Sequence, residues 1–193
     1  GPGDNDVYLV KTDPEGNLQW QNNFNGKDEE DMDFGHSIQQ TPDGGYILGG
    51  DTMSGIDGDY DILLIKTDSE GNQLPGWPKF FGGDKYEFCR SVQQTPDGGY
   101  ILGGSTASYG AGGYDVLLLK IDSEGNLIPG WQKTFGGEKD DGAVSIQQTS
   151  DRGYVIVGGT NSFGLGDSDV YLIKTDKNGE LQWQKNFNVL ERE

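Results

Sequence analysis

One phrase recurs four times along this chain. Asp6-Val7-Tyr8-Leu9-Val10-Lys11-Thr12-Asp13 returns, with small changes, from Asp61, Asp115 and Asp169, at intervals of 55, 54 and 54 residues. A second phrase fills the gaps. Gln39–Gly50 is identical to Gln93–Gly104 over twelve residues, and Gln147–Gly159 is a diverged copy. Self-similarity at a fixed period makes the repeat the structural unit, and a unit of this size needs neighbours to bury its apolar faces.

Each unit reads as four short strands: Ser37–Thr41, Tyr46–Gly49, Asp61–Thr67 and Trp77–Phe81 in the first copy. No stretch sustains a 3.6-residue apolar period, so helix is not expected. Pro42-Asp43-Gly44-Gly45 is a turn between the first two strands. The third copy, Ser150-Asp151-Arg152-Gly153, keeps only the second glycine, which predicts left-handed backbone at Gly45, Gly99 and Gly153. Asp13, Asp68, Asp122 and Asp176 open the later turns, where an aspartate can bond backbone N–H groups two residues on.

The third strand sets the architecture. Val7 and Leu9 point one way and Tyr8 and Val10 the other, and the other three copies behave alike. With both faces apolar and no helix to cover them, each sheet must lie between other sheets. Four-stranded antiparallel sheets stacked around an axis form a β-propeller. The phrases SIQQTPDGGYILGG, DVYLIKTD, GNLxW and KTFGG resemble the β-propeller repeats of secreted and surface-anchored bacterial and archaeal proteins over nearly the whole chain. That resemblance implies an extracellular or cell-surface location and a surface or adhesive role. It carries no catalytic residues across.

The expected all-β organisation is three full blades, 34–81, 88–135 and 143–187, behind an N-terminal half blade, 6–25. Residues 1–5 read as a cloning scar and linker, with a native leader removed upstream. Propellers close with about four to eight blades. Three and a half blades therefore imply a fragment, an oligomeric ring, or an open arc with covered ends. Self-association through the terminal blades is the expectation, because the first and last outer hairpins, with Leu18-Gln19-Trp20 and Leu181-Gln182-Trp183, are alike.

A net charge of −18, from 32 acidic and 14 basic residues, disfavours nucleic acid and anionic membranes as partners. No run is long and apolar enough for a membrane helix. Cys89 is the only cysteine, which excludes an internal disulfide. Its counterparts, Gly35 and Ala143, say only that the position must be small. Trp20, Trp77, Trp131 and Trp183 recur in every unit and read as wedges between blades; the recurring Lys11, Lys66, Lys120 and Lys174 read as partners of nearby carboxylates.

Positions that differ between copies are freer to carry function. The loop leading into the first strand varies most, and it supplies the candidate binding residues Asp28, Asp31, Asp33, His36, Tyr86, Glu87, Asp140 and Asp141. Asp57 and Asp59 alternate in a glycine-rich loop and are candidate ligands for calcium, the one cofactor the sequence suggests. The aspartate opening each eight-residue phrase reads as a turn cap. No catalytic grouping can be read from spacing. The expected function is a non-enzymatic binding or scaffold module that engages a protein or glycan through propeller loops. The alternatives are a carbohydrate-active enzyme using loop carboxylates and a spacer without ligand.

Overall fold

The computed structural model describes residues 5–26, 32–53, 55, 59–165 and 167–188, and among them every regular element is a strand. A lone antiparallel hairpin, β1 (Val7–Thr12) and β2 (Leu18–Phe24), comes first. The first blade is β3 (Asp33–Gln40), β4 (Tyr46–Thr52), β5 (Asp61–Thr67) and β6 (Lys79–Phe81). The second is β7 (Glu87–Gln94), β8 (Tyr100–Thr106), β9 (Asp115–Ile121) and β10 (Leu127–Phe135). The third is β11 (Asp141–Gln148), β12 (Tyr154–Thr160), β13 (Asp169–Thr175) and β14 (Leu181–Phe187). Each blade is an antiparallel meander in sequence order. The first strands start four residues earlier than the sequence suggests. β6 is short because Pro78 stands where β10 has Gln132, which pairs with Leu119; proline has no N–H to donate.

Both faces of the third strand are buried against other blades in β5 and β9. Ile62 and Leu64 of β5 pack forward onto Val92, Tyr100 and Leu102 of the second blade. Leu63 and Ile65 pack backward onto Val7, Leu9 and Phe24 of the half blade. Val116 and Leu118 of β9 repeat the forward contact with Ala143, Ile146 and Tyr154. The tryptophans wedge the joints. Trp20, Trp77 and Trp131 each meet a tyrosine of the following blade edge-on, Tyr46, Tyr100 and Tyr154, at 5.8, 6.1 and 6.0 Å. Such pairs add about 0.5–1.5 kcal/mol to the burial itself. Trp183, in the last blade, is 40% exposed.

The first strands also join blade to blade through polar groups. Ser37 Oγ accepts the Val92 N–H at 3.1 Å, and Gln39 Oε1 accepts the Gln94 N–H at 2.5 Å. Ser91 and Gln93 do the same for Ile146 and Gln148, each at 3.3 Å. Serine and glutamine two residues apart thus occupy edge amides that would otherwise be open to stray pairing. Within each blade, Lys66, Lys120 and Lys174 pair with Asp43, Asp97 and Asp151 of the first turn at 2.9, 2.5 and 2.9 Å. Lys11 lies over the Trp20 and Tyr46 rings.

The turn handedness differs from expectation. Gly44 and Gly98 are left-handed, with φ of 85° each, and Arg152 holds the same conformation at 67°; Gly45, Gly99 and Gly153 do not. Thr41 O accepts the Gly44 N–H, and Thr41 N–H returns to Gly45 O, which places the left-handed residue fourth in the turn. The second glycine is required for another reason: a Cβ at Gly45 would overlap the Thr67 carbonyl oxygen of β5. The Asp13, Asp68, Asp122 and Asp176 turns are as expected, with Oδ1 accepting the N–H two residues on at 2.8–3.0 Å.

Candidate functional site

Each first strand carries a β-bulge. Gly35 pairs with Gly50 and Ser37 with Gly49, which leaves His36 unpaired; Arg90 and Val144 are skipped in the same way. The bulge brings the Phe34, Phe88 and Gly142 carbonyls so close to the second strand that a Cβ at Gly50, Gly104 or Gly158 would collide with them. Gly50, Gly104 and Gly158 therefore serve the bulge, while Gly49 and Gly103 lie against the next blade. A bulge redirects side chains, and here it aims residues 34–36, 88–90 and 142–144 at the joints between blades.

At the joint between the first and second blades these residues form a closed cluster. Asp51 Oδ2 contacts His36 Nε2 at 2.6 Å and accepts the Arg90 Nη1–H at 2.8 Å, while its Oδ1 accepts the Cys89 N–H at 2.7 Å. Burial pushes the Asp51 carboxyl above the usual carboxylate range, and the Cys89 amide, Arg90 and His36 pull it partly back. The Arg90 guanidinium sits 4.9 Å from the Phe88 ring centre. An aromatic row runs outward from there: Phe34 stacks on His36, Tyr60 meets Phe34, Tyr86 and Phe88, and Phe88 meets Tyr114. Cys89 lies beneath with no exposed surface; burial lifts its thiol to about 12, so it fills space and is not a nucleophile at neutral pH.

At the joint between the second and third blades the groups that close the first joint have smaller or different counterparts, while Phe88 and Tyr114 keep the places of Phe34 and Tyr60. Gly142 stands for Phe88, Asp140 for Tyr86, Val144 for Arg90 and Ser105 for Asp51. An open pocket of about 360 Å³ results. Phe88 and Tyr114 form its aromatic wall, with ring centres 5.9 Å apart, and Ser105, Asp140, Asn161 and Ser168 supply polar groups. Asp140 Oδ1 accepts the Tyr114 N–H at 2.9 Å. Burial raises the Tyr114 phenol, and the neighbouring Tyr86, Asp140, Asp59 and Glu87 add to the rise, so the pocket lies in a negative field.

The sequence candidates separate into two groups. Asp33, Glu87 and Asp141 hold equivalent buried positions and tie the lead-in loop to its blade. Asp33 accepts the Gly26 N–H. Glu87 accepts the Gly83 N–H at 2.7 Å and the Thr106 hydroxyl at 2.6 Å. Asp141 accepts the Gly137 N–H at 2.7 Å and the Ser162 hydroxyl at 2.6 Å. His36 and Tyr86 belong to the closed joint and Asp140 to the open one. Asp28, Asp31 and Asp57 lie outside the described residues, and Asp59 is placed by its effect on Tyr114. Asp115 caps its loop by accepting the Ala111 N–H at 2.7 Å; burial raises its carboxyl, with Asp141 contributing.

Sequence reasoning passed over Asp51, Arg90, Phe88 and Tyr114. The signal was present in the Phe34, Phe88, Gly142 series and the Asp51, Ser105, Gly159 series, but the joint appears only once the bulge register is known. In comparisons with known proteins, no family model matches this sequence, and no curated protein matches it.

Proposed function

We propose that this chain is a non-enzymatic binding or scaffold module of a cell surface or extracellular space, related to surface-protein propeller repeats. One observation carries the reading: the blade frame repeats nearly unchanged while the residues aimed at the inter-blade joints differ from copy to copy. A rigid scaffold with variable presented groups suits recognition. Of the loop carboxylates, Asp115 and Asp141 are buried and engaged by backbone amides, which suits loop capping better than acid–base work and supports the binding reading. The test is a screen of immobilised protein against peptide and glycan arrays with hydrolysis monitored in parallel. Saturable binding without turnover supports the module; product release from any glycan overturns it.

Self-association is a second reading, favoured by uncovered apolar end faces. Tyr8 and Val10 face back from the half blade, and Val157, Val170 and Trp183 are exposed on the third blade. Ile38 is 50% exposed, whereas its counterparts Val92 and Ile146 are 2% and 1% exposed beneath a preceding blade. Contiguous apolar surface of this kind marks interaction sites. Val157 stands where Gly49 and Gly103 let the next blade approach. A second copy would therefore meet the third blade at a wider spacing than the joints within the chain. A mass of one chain at all concentrations in light scattering would remove this reading.

A further inference from the structure

The open joint lacks two aromatic rings, at the places of Phe88 and Tyr86, and the Arg90 cation with its Asp51 carboxylate, and the closed joint shows what fills that space. In the closed joint the Phe88 ring lies 5.8 Å from Tyr60, and the Arg90 guanidinium, two residues along the same strand, is held by a carboxylate. In the open joint Tyr114 occupies the place of Tyr60, but Gly142 offers no ring and Val144 no charge. Tyr114 and Phe88 are left as a bare aromatic wall beside Asp140, in a chain of net charge −18. The pocket volume of about 360 Å³ falls within the range of small-ligand sites, roughly 300–1,000 Å³.

We infer that the pocket between the second and third blades receives an aromatic side chain flanked by positive charge, presented by a basic partner protein. This deepens the binding-module reading and rests on it. The incoming ring would pack at a tilt against Tyr114, as Phe88 does against Tyr60. The adjacent cation would sit against Asp140 and the aromatic faces. Aromatic anchors in such pockets carry most of an interface's binding energy, and complementary charge brings the partners together. Phosphorylated and acidic ligands are disfavoured by the same field.

The experiment is an NMR titration of the whole chain with the peptide acetyl-Lys-Tyr-Lys-amide. Acetyl-Glu-Tyr-Glu-amide and methyl β-D-glucopyranoside serve as the competing chemistries. The lysine peptide is expected to shift the amides of Tyr114, Gly142 and Asn161, saturably and with an affinity that weakens as salt rises. Gly142→Phe supplies the missing ring in cis, its Cβ meeting only the Ser105 side chain, and is expected to weaken binding about tenfold or more. Asp140→Asn, at an exposed position that keeps the oxygen accepting from Tyr114, is expected to weaken it about threefold and to flatten the salt dependence. If Gly142→Phe does not fold, Asp140→Asn alone decides. Equal binding of the acidic peptide, shifts caused by the glucoside instead, or undiminished binding by the variants would overturn the pocket assignment while leaving the module reading intact. Failure of all three probes, together with blank peptide and glycan arrays, would remove both.

Discussion

The joint between the first and second blades and the joint between the second and third are built on one backbone and finished differently. Both have the bulged first strand, the glycine pair opposite it, the serine and glutamine acceptors and the tryptophan wedge. The first is then sealed by Asp51, Arg90, Phe88 and Tyr86, while the second is left open by Ser105, Val144, Gly142 and Asp140. Stability and specialisation thus sit on separate residues of the same strands. Side chains that set the frame recur, and those beside the bulge vary without disturbing it.

That separation can be broken deliberately. The largest effect is expected from the frame: Gly104→Val drives a side chain into the Phe88 carbonyl and should cost more than about 4 kcal/mol in denaturant unfolding, or abolish folding. A loss below about 1 kcal/mol would show that the bulge is not fixed by the glycine. A middle effect is expected where the two joints differ. Asp51→Ala strips partners from the Cys89 amide and Arg90 and should cost about 2–3 kcal/mol, whereas Ser105→Ala should change stability by no more than about 0.5 kcal/mol. Equal losses would mean that the open joint is as tightly held as the closed one.

The smallest effect concerns the turns common to both. The Thr41 hydroxyl, with Lys66 and the Gly45 amide, holds Asp43 down at about 2; Thr149, Lys174 and the Gly153 amide hold Asp151 there. Both carboxyls are depressed below the unfolded value of 3.8, so their contribution is present above pH 4 and is lost as pH falls from about 4 to about 2. Because these carboxylates are largely exposed, the loss should be slight and should shrink further at high salt. Thr149→Val should remove part of it in a pH series of melting temperatures; an unchanged pH profile would contradict the assignment.

The blade count, the hairpins, the two apolar faces of β5 and β9 and the wedging tryptophans were all legible in the sequence, because each follows from spacing and the two-residue alternation of a strand. The turn was misread for a local reason. Comparing copies singled out the glycine that never changes, but Gly153 is invariant because β13 crowds it, while Arg152 tolerates the left-handed backbone. Conservation within a repeat reports whichever constraint is stricter, and here contact outweighed dihedral preference. The open pocket was half visible. Asp140 was picked out for its charge, but Gly142 was not, since an absent side chain gains meaning only beside the ring that fills the same place one blade earlier.

The serine and glutamine acceptors bear on how such a chain can lengthen. At both joints between full blades the serine and glutamine acceptors of one blade meet backbone donors of the next, already in register. A gene segment copied in tandem would arrive with a working splice to its predecessor, so growth by recombination requires no new surface to be invented. Selection would then be left to tune only the few positions beside each bulge, and near-identical neighbours such as Gln39–Gly50 and Gln93–Gly104 are what recent growth of that kind leaves behind.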